Sequence, residues 1–151
     1  MTHDRFPLSR SERRLQQQVQ AKLHADEHVL AAIKILTGPR PGMEGCMIPI
    51  AVFDLALAVL SLFGLAASRK NFTLAITSNR GVLFRDDWMG RPAKISATFS
   101  NLDDIGPLND TVGDPFVMLS GQKFWMYGAW SSQLYRIRKI KQARTSASPP
   151  A

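Results

Sequence analysis

The first residues to weigh for chemistry are His24, Glu27 and His28, which spell H-x-x-E-H. In a helix that spacing sets two imidazoles one turn apart, fit to hold a zinc ion while the glutamate activates a water. The surroundings argue against it. No glutamate follows Glu44 to serve as a distal ligand, only Asp54 or Asp86 remain as substitutes, and the string straddles an expected helix-to-strand junction. Asp26 and Glu27 then read as the polar lead into a strand. Asp86-Asp87 and Asp103-Asp104 pair carboxylates, but neighbours on a strand point to opposite faces, so solvated turn positions are expected for them. A serine triad would have to draw on His3, His24 or His28, all near the N-terminus, folded over the rest of the chain. No enzyme activity, no metal and no cofactor is therefore expected.

Binding chemistry is better supplied. Nineteen Lys and Arg against twelve Asp and Glu give a net charge of +7 and an isoelectric point near 10.1, which favours anionic partners: nucleic acid or the inner leaflet of a membrane. Arg136, Arg138, Lys139, Lys141 and Arg144, with Trp125, Tyr127, Trp130 and Tyr135 close by in sequence, have the residue types for phosphate pairing and base stacking on a single strand. No nucleic-acid motif accompanies them, and the plainer reading puts the aromatics in a core and the charges on its solvated face. The only cysteine, Cys46, has no partner for an internal disulfide, which suits a reducing compartment. The polar start MTHDRFPLSRSERR lacks the apolar stretch of a secretory signal, so a cytoplasmic body is expected.

The elements that must position these groups follow from period and turn chemistry. Ser9 to Glu12 reads S-x-x-E, a capping box opening a helix with Leu15, Val19 and Leu23 on one narrow stripe, an appendage to the core. From His28 to Leu36 the period becomes that of a strand, with Val29, Ala31, Ile33 and Ile35 on one side, until Gly38-Pro39-Arg40-Pro41-Gly42 stops it. Strands are expected at Phe72–Ile76 and Val82–Phe84 across Ser78-Asn79-Arg80-Gly81, then at Lys94–Phe99, around Ile105–Leu108, and in a hairpin of Pro115–Leu119 with Lys123–Tyr127. A last helix begins at Ser131 or Ser132, with Leu134, Ile137 and Ile140 on one face against Arg136, Arg138, Lys139 and Lys141. The expected organisation is a flexible lead (1–8), one domain (9–143) and a disordered tail (144–151).

L-x-x-D-E-x-V-L at Leu23–Leu30, L-A-I-T-S-N-R-G-V-L at Leu74–Leu83 and L-D-D-I at Leu102–Ile105 resemble motifs of the bacterial pleckstrin-homology-like domains. The resemblance covers roughly residues 23–143 and implies a mainly β fold: a barrel of about seven antiparallel strands closed by a C-terminal helix, here with an additional N-terminal helix. The chain departs from that pattern in an apolar helical insertion at 46–68, between the first two strands.

From Met47 to Ala67 about twenty residues would make roughly 30 Å of helix, the thickness of a hydrocarbon core. Asp54 in its middle costs about 2.5–3.5 kcal/mol on insertion, while each Leu, Ile, Phe or Val returns about 0.3–0.6 kcal/mol, so the balance is marginally favourable. The run either enters one leaflet and returns near Gly64, or packs as a soluble helix on the barrel or between protomers, or spans the membrane in a chain that is not a barrel. The first is preferred. It makes the chain a non-enzymatic module on the cytoplasmic face of the membrane, with Lys34, Arg40, Arg69 and Lys70 at lipid headgroups and Ile50, Phe53, Leu57, Leu60 and Phe63 as membrane or oligomer contacts. Its partners would be anionic lipid or a partner protein. The alternatives are a soluble homo-oligomer in the cytoplasm with the run as its interface, and a basic nucleic-acid-binding protein.

Overall fold

The computed structural model describes residues 7–38, 70–109, 111, 115–126 and 131–147. Helix α1 (Arg10–Gln20) opens with the expected capping box: the Ser9 hydroxyl accepts the Glu12 N–H at 3.3 Å and the Glu12 carboxylate accepts the Ser9 N–H at 2.6 Å. Seven strands follow, β1 (Val29–Thr37), β2 (Lys70–Thr77), β3 (Gly81–Asp86), β4 (Pro92–Phe99), β5 (Ile105–Asn109), β6 (Phe116–Leu119) and β7 (Gln122–Met126), and then helix α2 (Ser131–Ala147). The strands form one open antiparallel sheet in the order β4-β3-β2-β1-β7-β6-β5. Among the described residues the fold is mainly β, with seven antiparallel strands and an N-terminal and a C-terminal helix; the helical insertion expected at 46–68 lies outside the described residues.

Strand alternation sorts the apolar residues onto two faces. Ala31, Ile33 and Ile35 of β1, Phe72, Leu74 and Ile76 of β2, and Phe124 and Met126 of β7 face inward, where Leu134 and Ile137 of α2 cover them. The Phe72 and Phe124 rings meet edge to face with centroids 5.5 Å apart. The sheet curls until its flanks meet: a Cβ placed on Gly81 of β3 would lie 2.5 Å from the Ile105 Cδ1 of β5.

Three sequence expectations change here. Helix α1 is no appendage, because Leu15 and Val19 bury against Ala32, Ala75, Val82 and Phe84 as a second core on the outer face. Val29 joins that outer core instead of the inner row, since a register shift between Val29 and Ala31 reverses the alternation. Helix α2 runs to Ala147, past the boundary drawn at residue 143. Its last turn is held by Arg144, which donates to the Thr77 and Ser78 carbonyls at 2.8 and 2.7 Å.

Both edges of the sheet are blunted. On β5, Arg138 donates to the Leu108 carbonyl at 2.8 Å, Lys141 donates to the Ile105 carbonyl, and Pro107 has no N–H to offer. On β4, the register shifts twice against β3 and leaves Ala93 and Ser96 as extra residues, with Lys94 exposed between them. Bulges and edge lysines of this kind discourage pairing with another chain.

Candidate functional site

The ladder gives the sheet two unlike ends. Thr37 of β1 pairs directly with Lys70 of β2, so the chain leaves and re-enters the sheet at adjacent points on one end. We refer to this as the exit end. Phe72 pairs with Arg85 and Leu36 with Trp125, which places the β3–β4 turn and the Ser120-Gly121 turn at this same end. The Trp125 indole N–H donates to the Gly38 carbonyl at 3.1 Å, tying the first residue after β1 to β7.

The β3–β4 turn is rigidly built and carries an unusual load. Asp87 accepts the N–H groups of Met89 and Arg91, both at 2.9 Å, and the Gly90 N–H donates to the Asp87 carbonyl at 3.0 Å. Gly90 has φ 72°, a conformation that costs a glycine little. Lys34 holds the turn from beneath: its ammonium donates to Asp86 at 2.6 Å, to the Thr73 hydroxyl at 2.7 Å and to the Gly90 carbonyl at 2.6 Å. Thr73 in turn donates to the other Asp86 oxygen at 2.7 Å. On this base stand Trp88, 92% exposed, and Met89, 52% exposed. Arg85, Arg91, Lys94 and Lys70 around them are all exposed.

Asp86 therefore differs from the solvated turn residue expected of it. Its side chain is 1% exposed and its charge is matched by Lys34. Of the four cations expected at headgroups, Lys34 is engaged inside the protein and Lys70 is free to reach solvent at the exit end, while Arg40 and Arg69 lie outside the described residues. So do Ile50, Phe53, Leu57, Leu60 and Phe63. Trp88 and Met89 escaped the sequence reading. The signal was present, since D-D-W-M-G puts two large apolar residues where turn chemistry calls for small polar ones.

The opposite end is knotted by polar contacts. Glu27, 3% exposed, accepts the Thr77 hydroxyl at 2.6 Å and both ends of the Arg80 guanidinium fork at 3.0 and 3.1 Å. Arg80 above all holds the Glu27 carboxyl below its ordinary range, burial opposes this, and Thr77 reinforces it; the same pair raises Arg80. Gln20 clamps the chain beside it, donating to the Glu27 carbonyl at 2.7 Å and accepting the Val29 N–H at 3.0 Å. With both carboxylate oxygens taken, Glu27 is committed to structure, and His24 and His28 stay exposed on either side of it. Among the described residues no group of three His, Cys, Asp or Glu is placed to hold a metal ion.

A second knot joins the helices. Glu12, 4% exposed, accepts the Ser132 hydroxyl of α2 at 2.5 Å besides closing its own capping box. Burial pushes the Glu12 carboxyl up, but Ser132, the Ser9 N–H, Gln133 and the Ser9 hydroxyl outweigh it and bring its pKa to about 2. Gln133 also accepts the Ala32 N–H at 3.4 Å, on the stretch of β1 that β7 does not reach.

The cations of α2 are spent largely inside the fold. Arg138, Lys141 and Arg144 donate to backbone carbonyls, Arg136 is buried where the sequence reading had it solvated, and Lys139 lies over the Tyr135 ring at 4.9 Å. Lys123 sits in the corner of Phe116 and Trp125, 4.1 and 4.2 Å from their centroids. Tyr127 and Trp130 lie outside the described residues. Compared with known proteins, the chain matches no family model, no curated protein and no solved structure.

Proposed function

We propose that this chain is a non-enzymatic, pleckstrin-homology-like binding module on the cytoplasmic face of the cell membrane, anchored by residues 46–68 and facing anionic lipid with its exit end. The observation that supports this reading is the Thr37–Lys70 pair. Strands paired in one sheet lie on one side of a bilayer, so an apolar segment joining them is compatible with a one-sided excursion and incompatible with a single crossing. Among the described residues no helix is long and apolar enough to cross a membrane. The exposed cations Lys70, Arg85, Arg91 and Lys94 at this end suit an anionic surface, and cationic attraction added to apolar insertion holds where either alone is marginal. Two of the stretches that resemble pleckstrin-homology-like motifs meet in the fold, where Glu27 of the first and Thr77 and Arg80 of the second form one hydrogen-bonded knot. The nucleic-acid reading is weaker, since Arg138, Lys141 and Arg144 serve backbone carbonyls.

The test is fractionation of the expressed protein, with membranes washed in high salt and then carbonate. Retention through both washes, with the N- and C-terminal segments open to protease from the same side, is the expected result. Recovery in the soluble pool overturns the reading and makes self-association through the apolar run the leading account, to be checked by whether Leu57→Asp breaks an oligomer.

A further inference from the structure

We infer that the β3–β4 turn is a second membrane contact, with Trp88 and Met89 entering the interfacial layer of an anionic bilayer while Arg85, Arg91 and Lys94 meet lipid phosphates. The inference rests on the membrane reading above and adds a contact that the apolar run does not supply. Three observations carry it. A tryptophan left 92% exposed beside a half-exposed methionine forgoes a large apolar burial, and the turn beneath spends Asp87, Gly90 and the Lys34–Asp86–Thr73 network on holding it out. The register puts this turn at the same end of the sheet as Gly38 and Lys70, the points where the chain leaves and re-enters it. The charge of the turn is positive among the described residues, because Asp86 is matched by Lys34 and Asp87 alone stands against Arg85, Arg91 and Lys94. Tryptophan favours the headgroup layer, where its ring is in apolar contact and its N–H stays wet.

A preordered turn also avoids the cost of arranging a floppy loop at the surface. The contact is a wedge on a fixed base.

The experiment compares the full chain with Trp88→Ala on vesicles of phosphatidylglycerol and phosphatidylcholine, with bromine placed on the acyl chains near the headgroup as a fluorescence quencher. Circular dichroism and melting of W88A serve as the folding control, and both should match the parent because the side chain touches little of the fold. The expected result is bromine quenching in the parent that is largely lost in W88A, with vesicle affinity down about tenfold, equivalent to about 1.4 kcal/mol. Trp88→Tyr should retain most of the affinity. If the parent sediments with vesicles and W88A matches it in quenching and affinity, the wedge is overturned and the membrane reading stands. If the parent does not sediment with vesicles at all, the membrane reading fails and the wedge with it. Loss of a stable dimer in W88A, without vesicles, would overturn the wedge by assigning the turn to a second copy.

Discussion

Glu12 and Glu27 are the two acids whose removal should be felt most, and for different reasons. Glu12 is ionised well below the ordinary carboxylate range, with a folded pKa of about 2 against 4.5 for the free group. Its contribution is complete above about pH 4.5 and disappears as pH falls toward 2. Thermal melts from neutral to acid pH should therefore show Glu12→Gln less stable than the parent by about 2 kcal/mol at pH 7, the scale of hydrogen bonds to a charged group, with the two curves converging in acid. Arg80→Ala strands the buried Glu27 carboxylate and should cost about 3 kcal/mol in urea unfolding, the low end for a broken buried pair because Arg80 is partly exposed. Arg80→Lys should recover little of it, since an ammonium cannot span both oxygens. The capping role of Glu12 was legible, because S-x-x-E is a local pattern. Its bond to Ser132 and the Glu27–Arg80 pair were not, as they join residues brought together only by the folded sheet. The Lys34–Asp86 pair was hidden for the same reason, since its two residues lie on separate strands of the sheet.

Strands and helices were readable where period and turn residues agreed, and the departures fall where tertiary contacts decide. A bulge turns Val29 over, and α2 gains its last turn from carbonyls of the β2–β3 turn. Curling of the sheet is the feature that no local pattern announces, and it can be tested at Gly81. Gly81→Ala drives a methyl to within 2.5 Å of the fully buried Ile105 Cδ1 and should destabilise the fold by about 1–3 kcal/mol. Ile105→Val removes the colliding atom, so the double variant should lie above the sum of the singles in denaturant unfolding. The β5 edge offers a milder test. Arg138→Ala with Lys141→Ala uncovers the Leu108 and Ile105 carbonyls and should raise amide exchange in β5 and β6 before it touches the β1–β2–β3 ladder.

On the scale of the whole molecule, the two ends of the sheet are built differently. One is tied shut by Glu27, Thr77, Arg80 and Arg144; the other presents Lys70, Trp88, Met89 and three further cations. If the proposed membrane reading holds, raised salt should weaken vesicle binding of the full chain without releasing it completely, because screening removes the ionic part and leaves the apolar part, as sedimentation across a salt series would show. The pairing of Thr37 with Lys70 has a further consequence, at the level of the gene. Residues 38–69 occupy the place of a hairpin loop, so they form a cassette that an in-frame event can add or delete without rewiring a strand. An Asn-Gly turn in their place should leave a shorter chain that folds with the same ladder, and under the proposed membrane reading it should no longer be retained by membranes through a carbonate wash. A lineage could gain or lose these residues with the pairing of every strand unchanged.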